Sequence, residues 1–328
     1  MKHNASRSAL LMIEAAILSS TLLAATDYRY EGDNHFYNLE YDQAISDYTK
    51  QIQQNPDDPI PYNDLASAQL NKELSRLGLL DSSALGRDNR FLRIGRPQAD
   101  PQVKARVLDA LDHGRRKAEI VLVRDPRNTL ALYSLCTNSG VRATYEFMVE
   151  RAWFAALRDA SKARSYCAQA QKLDPEFIDP YLVLGVYEYT AGSLPLAVKL
   201  MAMGGLHGSK KKGLEYVSRV AQKGKYDRDA ARVLLAVLYR RENRPLDAAG
   251  VLQSLITDYP RNYLFSLELA SMYSDAGQPE RALSTLRSLL QKVDENTLGY
   301  RSMPRETVQR QIQLIEARRL TARRSSAT

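Results

Sequence analysis

One stretch of the sequence returns 34 residues later with the same small and apolar residues in the same order. Residues Leu235 to Leu252 read LAVLYRRENRPLDAAGVL, and residues Leu269 to Leu286 read LASMYSDAGQPERALSTL. Leu, Ala, Tyr, Pro, Ala and Leu occupy matching positions in both. A fixed period between about 20 and 50 residues indicates an array of stacked units that share one continuous core. We therefore expect a repeat array.

Each unit has the composition of two antiparallel helices joined by a turn. Ala236 and Ala248 are small enough to let two helices approach closely, and leucines fill the space around them. Asn243 or Gly277, followed by a proline, marks the turn between the helices. Apolar residues recur at helical spacing through most of the chain, while glycine (16) and proline (13) are sparse. The sequence predicts an all-α protein.

This pattern resembles the tetratricopeptide repeat. The resemblance implies a right-handed superhelical solenoid of antiparallel helix hairpins, with an insertion and a C-terminal capping helix. The element GSLPLAVKLMAMGGLHGSKKKG, from Gly192 to Gly213, is similar to a bacterial subset of exported or envelope-type repeat proteins. The predicted segments are a leader at 1–25, N-terminal hairpins at 26–74, an irregular insertion at 75–114, the main solenoid at 115–300 and a basic capping helix and tail at 301–328.

Two local features extend this prediction. The hairpin that starts at Thr129 is too long for one repeat, so we expect an extended helix or a packed bend around Tyr145 to Phe154. The last segment should form a helix that covers the open end of the array with an apolar stripe. That stripe consists of Val308, Ile312, Ile315 and Leu320, and the arginines expected to stay in solvent are Arg305, Arg310, Arg318, Arg319, Arg323 and Arg324.

The first 25 residues have the layout of a secretory signal peptide. Lys2 and Arg7 precede a mostly apolar run that ends in small residues at Ala25. Glu14 interrupts the run, and the alternatives are a retained membrane anchor or an ordinary N-terminal helix. We predict export to the periplasm or cell envelope, with membrane anchoring or a cytoplasmic location as alternatives. Cys136 and Cys167 are expected to be two separate buried thiols, or a disulfide if the protein is exported.

The formal charge of +8 comes mainly from one end of the chain. Residues 301–328 hold seven arginines and two glutamates, whereas the body of the chain is close to neutral. Nucleic-acid binding requires cations concentrated along a surface, so specific nucleic-acid binding is not expected. The basic C-terminal helix favours instead a weak contact with an anionic membrane surface.

The sequence contains no pattern typical of an enzyme, so no activity and no cofactor are predicted. The four histidines are scattered without a second ligand at metal-binding spacing. The stretch GGLHGSKKKG does not match a phosphate loop, because Ser209 follows Gly208 where that loop has a lysine, and position 203 is Met where it has its first glycine. We interpret it as a connection in which Ser209 caps the following helix. An anion could still contact Lys210, Lys211 and Lys212 at the start of that helix.

The resemblance implies that the first helix of each hairpin lines a concave groove that holds a partner. A mixed wall of amide, aromatic and basic groups suits a peptide or partner protein, with Tyr189 as an aromatic anchor and an arginine pair for a carboxylate. The chain is thus predicted to be a non-enzymatic interaction scaffold, with a membrane-surface adaptor as the alternative. The residues at the inward-facing positions are Asn63, Asn71, Tyr133, Leu182, Tyr189, Arg240, Arg241, Ser271 and Asp275.

Overall fold

The computed structural model describes residues 27–80, 95–194 and 207–325, with side chains up to residue 319. The predicted leader, residues 81–94 of the predicted insertion and residues 195–206 lie outside the described residues. Within the described ranges no helix is both long and apolar enough to cross a membrane. The helices are α1 (Tyr28–Tyr37), α2 (Tyr41–Gln54), α3 (Ile60–Arg76), α4 (Pro101–Arg124), α5 (Thr129–Tyr145), α6 (Trp153–Leu173), α7 (Tyr181–Ser193), α8 (Lys210–Lys223), α9 (Arg228–Arg241), α10 (Pro245–Asp258), α11 (Tyr263–Asp275), α12 (Pro279–Asp294) and α13 (Arg305–Ser325).

Consecutive helices pack in pairs, which confirms the predicted all-α array of hairpins. The odd-numbered helices from α1 to α11 are the first helices of their hairpins, and the even-numbered helices are the second. The repeated small residues lie at the crossings, where Ala236, Ala248, Ala270 and Ala282 are all buried. Such close crossings need residues without bulky side chains, so the sequence echo has a packing cause.

The turns inside the last two hairpins use the residues that the repeat pattern indicated. Asn243 has a φ of 59° and Gly277 a φ of 69°, the left-handed conformation that ends a helix. Pro245 and Pro279 then begin the second helices, where a missing backbone N–H does no harm. The turn chemistry therefore confirms the predicted hairpin boundaries.

The long third hairpin contains the packed bend that was predicted. Helix α5 runs into a π-helical turn at Glu146–Glu150, and Arg151 adopts a left-handed φ of 57° before α6 begins at Trp153. Val149, in that turn, is buried against α3 and α4. The bend thus absorbs the extra residues by filling the core beside the second hairpin.

Two sequence-based expectations need correction. Helix α4 begins at Pro101, so the stretch without repeat structure ends well before residue 114. Pro101 and the side chain of Asp100, which accepts from the Gln102 N–H, start the helix where apolar periodicity alone was weak. The expectation of two separate thiols is wrong, because Cys136 of α5 and Cys167 of α6 form a disulfide with a Cα–Cα distance of 5.3 Å. Both residues are buried, as expected.

Helix α13 covers the end of the array. Val308 and Ile315 are buried in the same core as Leu283 and Leu286 of α12, and Ile312 packs against that core. Three ion pairs hold the helix in place, including Arg305 with Asp294 at 2.6 Å. The packing confirms the predicted capping helix. The side chain of Leu320, the last residue of the predicted stripe, lies outside the described residues.

Candidate functional site

Helix α1 contacts residues of several other hairpins. Its start is fixed by Asp27, whose Oδ1 accepts from the backbone N–H groups of Arg29 and Tyr30. Gly32 brings it close to α2, since a Cβ on this residue would lie 2.6 Å from the Tyr48 ring. Tyr48 also donates to Asp33 Oδ1 at 2.7 Å. This local packing points the remaining faces of α1 toward the other repeats.

Helix α1 contacts the first helix of the next hairpin and the turn before a distant one. Arg29 Nε donates to Asp64 Oδ2 of α3 at 2.7 Å, and the guanidinium lies 5.0 Å from the centre of the Tyr226 ring. Tyr226 lies in the turn before α9, in the fifth hairpin. The Tyr133 hydroxyl of α5 donates to Asp227 Oδ2 at 2.7 Å. The beginnings of α3, α5 and α9 therefore converge around α1.

The turn before α9 is rigidly held. The buried carboxylate of Asp179, just before α7, accepts from the backbone N–H groups of Lys225, Tyr226 and Asp227 at 2.7 to 3.1 Å. The Tyr133 ring packs against Tyr226 at 5.6 Å. Because a carboxylate that accepts several N–H bonds fixes the loop that supplies them, Asp227 is presented to the centre in one position.

We call Arg29, Asp33, Asp64, Tyr133 and Asp227 the central cluster. It contains three carboxylates and one guanidinium. Burial raises the pKa of Asp33 to about 7. The positive charge of Arg29 lowers this pKa, and the negative charge of Asp64 raises it. Burial also raises the pKa of Asp227 to about 7. The hydrogen bond from Tyr133 lowers this pKa, and the negative charge of Asp179 raises it. Asp33 still exposes 32% of its side chain, so protons can exchange with solvent.

The end of α1 contacts the last complete hairpin, and we call this the closing contact. Arg261, in the turn before α11, donates to both carboxylate oxygens of Glu40 at 2.8 and 2.9 Å. Its backbone N–H donates to Asn38 Oδ1 at 2.9 Å. Asn262 Nδ2 donates to the Tyr37 carbonyl at 2.6 Å. The first and sixth hairpins of the described chain are thus joined directly.

Three of the predicted wall residues are buried, and two of them, Asn63 and Tyr133, lie between first helices. Asn63 Nδ2 donates to the Ser134 carbonyl at 2.9 Å, and its Oδ1 accepts from Asn138 at 2.8 Å. Tyr133 belongs to the central cluster. Both side chains are therefore engaged in joining α3, α5 and α9, and neither is exposed to a partner.

The predicted residues near the ends of α7, α9 and α11 form a continuous polar row. Tyr189 of α7 is buried, so the predicted aromatic anchor is not exposed to a partner. It donates to Glu242 Oε1 at 2.7 Å, and burial raises its pKa to about 12. Arg240 of α9 contacts Glu268 at 3.2 Å and Asp275 at 3.3 Å, both on α11. We call Tyr189, Arg240, Arg241, Glu242, Glu268, Ser271 and Asp275 the inner row.

The tight packing of α7 on α8 positions the start of this row. A Cβ on Gly213 would lie 2.6 Å from the Tyr189 backbone nitrogen and 2.8 Å from the Gly185 carbonyl oxygen. Lys210, at the start of α8, reaches Glu242 at 2.9 Å. The structure thus brings Tyr189 and Lys210 together through a glutamate that the sequence had not indicated.

The remaining predicted residues are more scattered. Leu182 packs partly buried in the core of α7, α8 and α9, and Asn71 donates to the Ser67 carbonyl of its own helix. Lys212 pairs with Glu188 at 2.7 Å, while Lys211 is exposed. Ser209 caps α8 as predicted, since its Oγ accepts from the Lys212 N–H at 3.3 Å.

The surfaces of the array offer hydrogen bonds, charge and aromatic faces, which is the chemistry of recognition. Among the described residues no group of three or more His, Cys, Asp or Glu side chains is arranged to hold a metal ion. Sequence reasoning identified Tyr133 but missed the four charged residues of the central cluster. The available signal was the placement of Asp64, Asp227 and Asp229 near the starts of first helices.

The repeat geometry agrees with a sequence comparison. Residues 214–296 match the tetratricopeptide repeat family model. The match covers most of α8 and the whole of the two hairpins from α9 to α12. No curated protein matches the chain.

Solved structures also resemble the chain at low sequence identity, and 34 solved chains match. A thermophilic tetratricopeptide repeat protein from Thermus thermophilus shares 15% identity, with a TM-score of 0.40 over 75% of this chain and 97% of that one. The APC/C hetero-tetramer Cut9–Hcn1 shares 13% identity, with a TM-score of 0.33 over 93% of this chain and 59% of that one.

Proposed function

We propose that this protein is a non-enzymatic scaffold that binds an extended segment of a partner protein along the inner row. The proposal rests on the difference between the two ends of the first helices. The beginnings of the first helices are occupied by α1, whereas the ends of α7, α9 and α11 carry a polar row that crosses three successive helices. A partner approaching the inner side therefore meets the row.

The size of the row suits a short peptide. First helices packed about 10 Å apart place the row over roughly 20 Å. An extended chain covers that length with about six residues at ~3.3 Å each. Solenoids use such rows because each repeat adds contacts to the same extended ligand.

The charges of the row favour a partner with polar side chains of both signs. Arg240 already faces the carboxylates of Glu268 and Asp275, so an acidic group of a partner has to compete with two internal ones. Asp275 is exposed and Ser271 is half-buried. We therefore propose that the arginine pair binds a carboxylate of the partner as only one of several polar contacts along the row.

Photo-crosslinking tests the proposal. A crosslinking amino acid is placed at Ser271, on the inner row, and in a second variant at Ser288, which is exposed on the outer helix α12. The proposal expects a discrete crosslinked partner from position 271 in native cells and none of that mass from position 288. The same adduct from both positions, or none from position 271, contradicts it.

We infer in addition that the protein is exported. The leader-like sequence supports this inference, and so does the disulfide between Cys136 and Cys167, because disulfides persist in oxidising compartments. N-terminal sequencing of protein recovered from the envelope fraction tests it. A mature N-terminus near Thr26 is expected. Membrane retention after a high-salt wash would favour the anchored adaptor, and a full-length soluble cytoplasmic form would contradict both.

A further inference from the structure

A basic surface cleft lies on α8, beside the inner row. It encloses about 720 Å³ between α8 and the turn that joins α9 to α10. It shares only Glu242 with the inner row. Five basic side chains line it, together with Tyr239 and the acidic Glu215 and Glu242. The basic residues are Lys210, Lys211, Arg219, Lys223 and Arg244. We call this the cationic cleft.

Its positive charge is only partly neutralised within the chain. Lys210 pairs with Glu242, and Arg244 pairs with Asp247 at 2.7 Å. Lys211 and Lys223 are exposed, and the described contacts include no ion pair for either. Two unpaired ammonium groups at the same surface raise the local positive potential and attract an anionic partner.

Two guanidinium groups in the cleft are held flat by tyrosines. Arg219 lies 4.8 Å from the centre of the Tyr181 ring, and Arg244 lies 4.4 Å from that of Tyr239. Stacking fixes the plane of a guanidinium while its N–H edges stay able to donate. The described contacts give Arg219 no carboxylate partner. Its edge is therefore prepared for a carboxylate from outside the chain.

The spacing of the charges identifies the size of the ligand. Lys211, Glu215, Arg219 and Lys223 follow one another at intervals of four residues and so form one stripe along α8. From Lys211 to Lys223 the stripe extends roughly 18 Å at 1.5 Å per residue. A single small anion would reach one of the three basic side chains, whereas a segment with spaced carboxylates would reach Lys211, Arg219 and Lys223 on either side of the acidic Glu215.

We infer that the cationic cleft binds an acidic segment of a partner protein, rich in Asp or Glu, as a second interaction surface. Electrostatic complementarity along the stripe would set the orientation and speed of binding. This surface is distinct from the inner row and does not depend on the function proposed for that row.

Fluorescence anisotropy with a defined probe tests the inference. The probe is a fluorescein-labelled peptide of eight glutamates, with an eight-glutamine peptide as its uncharged counterpart. The full chain is compared with a Lys211→Glu, Lys223→Glu variant. The matched control, Arg127→Glu with Lys172→Glu, makes the same change in net charge at positions outside the cleft. Thermal melts confirm that all three proteins are folded.

We expect the acidic peptide to bind the parent chain and the glutamine peptide not to bind. The cleft variant should bind at least about tenfold more weakly, while the control stays within about twofold, because distant charges are screened at 0.15 M salt. Equal losses in both variants, or no binding to the parent chain, would overturn the inference. Binding to phosphatidylglycerol vesicles but not to the peptide would also overturn it. So would displacement of the peptide by inorganic phosphate at the same low concentrations, since a single small anion would then suffice.

Discussion

The Arg261 guanidinium donates two hydrogen bonds to the Glu40 carboxylate across 221 positions of sequence. Both side chains are partly buried, and Asn38 accepts a further bond from the Arg261 backbone. A paired, bidentate contact of this kind is geometrically specific. It connects the first hairpin to the sixth and keeps α1 in the middle of the array.

Replacing Arg261 with alanine should open the array. The variant loses both bonds to Glu40, and we expect the free energy of unfolding to fall by about 1–3 kcal/mol. Small-angle X-ray scattering should show a larger radius of gyration. The control is Arg287→Ala, which removes an exposed ion pair with Glu316 between α12 and α13. An Arg261 variant with the radius of gyration of the parent would show that other contacts close the array.

The central cluster should make stability depend on pH. Because the pKa of Asp33 is about 7 in the folded chain and near 4 in the unfolded chain, the folded state holds the extra proton between these values. Stability should therefore fall as pH rises from about 4 to 7, and stay reduced above that. Burial likewise raises the pKa of Asp227 to about 7, which adds to the trend.

Asp33→Asn isolates the contribution of one carboxyl group. The amide keeps an oxygen for the Tyr48 hydroxyl and removes the buried charge. Urea unfolding should show the variant about 1–2 kcal/mol more stable than the parent at pH 8, allowing for partial exposure, and little different at pH 4. Glu176→Gln, at an exposed position, serves as control. If both variants follow the parent at every pH, Asp33 does not retain its proton in the folded state.

The disulfide should contribute measurably to stability. It closes a loop with a sequence separation of 31, for which the chain-entropy model gives about 3–4 kcal/mol. The Cys136→Ser, Cys167→Ser variant should lose that amount in urea unfolding. Thiol titration of the parent protein under denaturing, non-reducing conditions should detect no free thiol. Two titratable thiols in protein purified from its native compartment would contradict the pairing.

Gly213→Ala and Gly250→Ala form a matched pair. A Cβ at position 213 would collide with the backbone of α7, whereas one at position 250 meets nothing within 4 Å. We expect the first change to cost about 1–3 kcal/mol by overpacking. The second should be neutral or stabilise α10 by up to about 1 kcal/mol. Differential scanning calorimetry measures both. Equal melting temperatures would show that α7 and α8 are not closely packed.

The sequence was sufficient to predict structure where neighbouring residues determine it. The recurrence of alanine at positions 236 and 270 indicates a helix crossing inside each hairpin. Each crossing joins two helices that are neighbours in the sequence. The bend after Tyr145 could also be predicted, because the surplus length of one hairpin had to be accommodated. Local patterns of this kind specify the unit that repeats.

The contacts that join distant repeats could not be predicted in this way. Arg29 meets Asp64 and Tyr226 because of the curvature of the whole array, and curvature accumulates from small rotations that no single residue encodes. The same holds for Glu40 and Arg261. The disulfide was only an alternative in the sequence analysis, for a different reason. The extra length of the third hairpin hid the register that places Cys136 opposite Cys167.

The closing contact changes how the array should unfold. In an open row of repeats the end units have one neighbour each and therefore fray first. Here the first and sixth hairpins contact each other. The hairpins that would otherwise fray first are therefore stabilised, and the whole array should melt cooperatively. Forming that contact requires residues more than 200 positions apart to meet, which costs loop-closure entropy that only completed intervening repeats can reduce. Closure should then be the last step of folding.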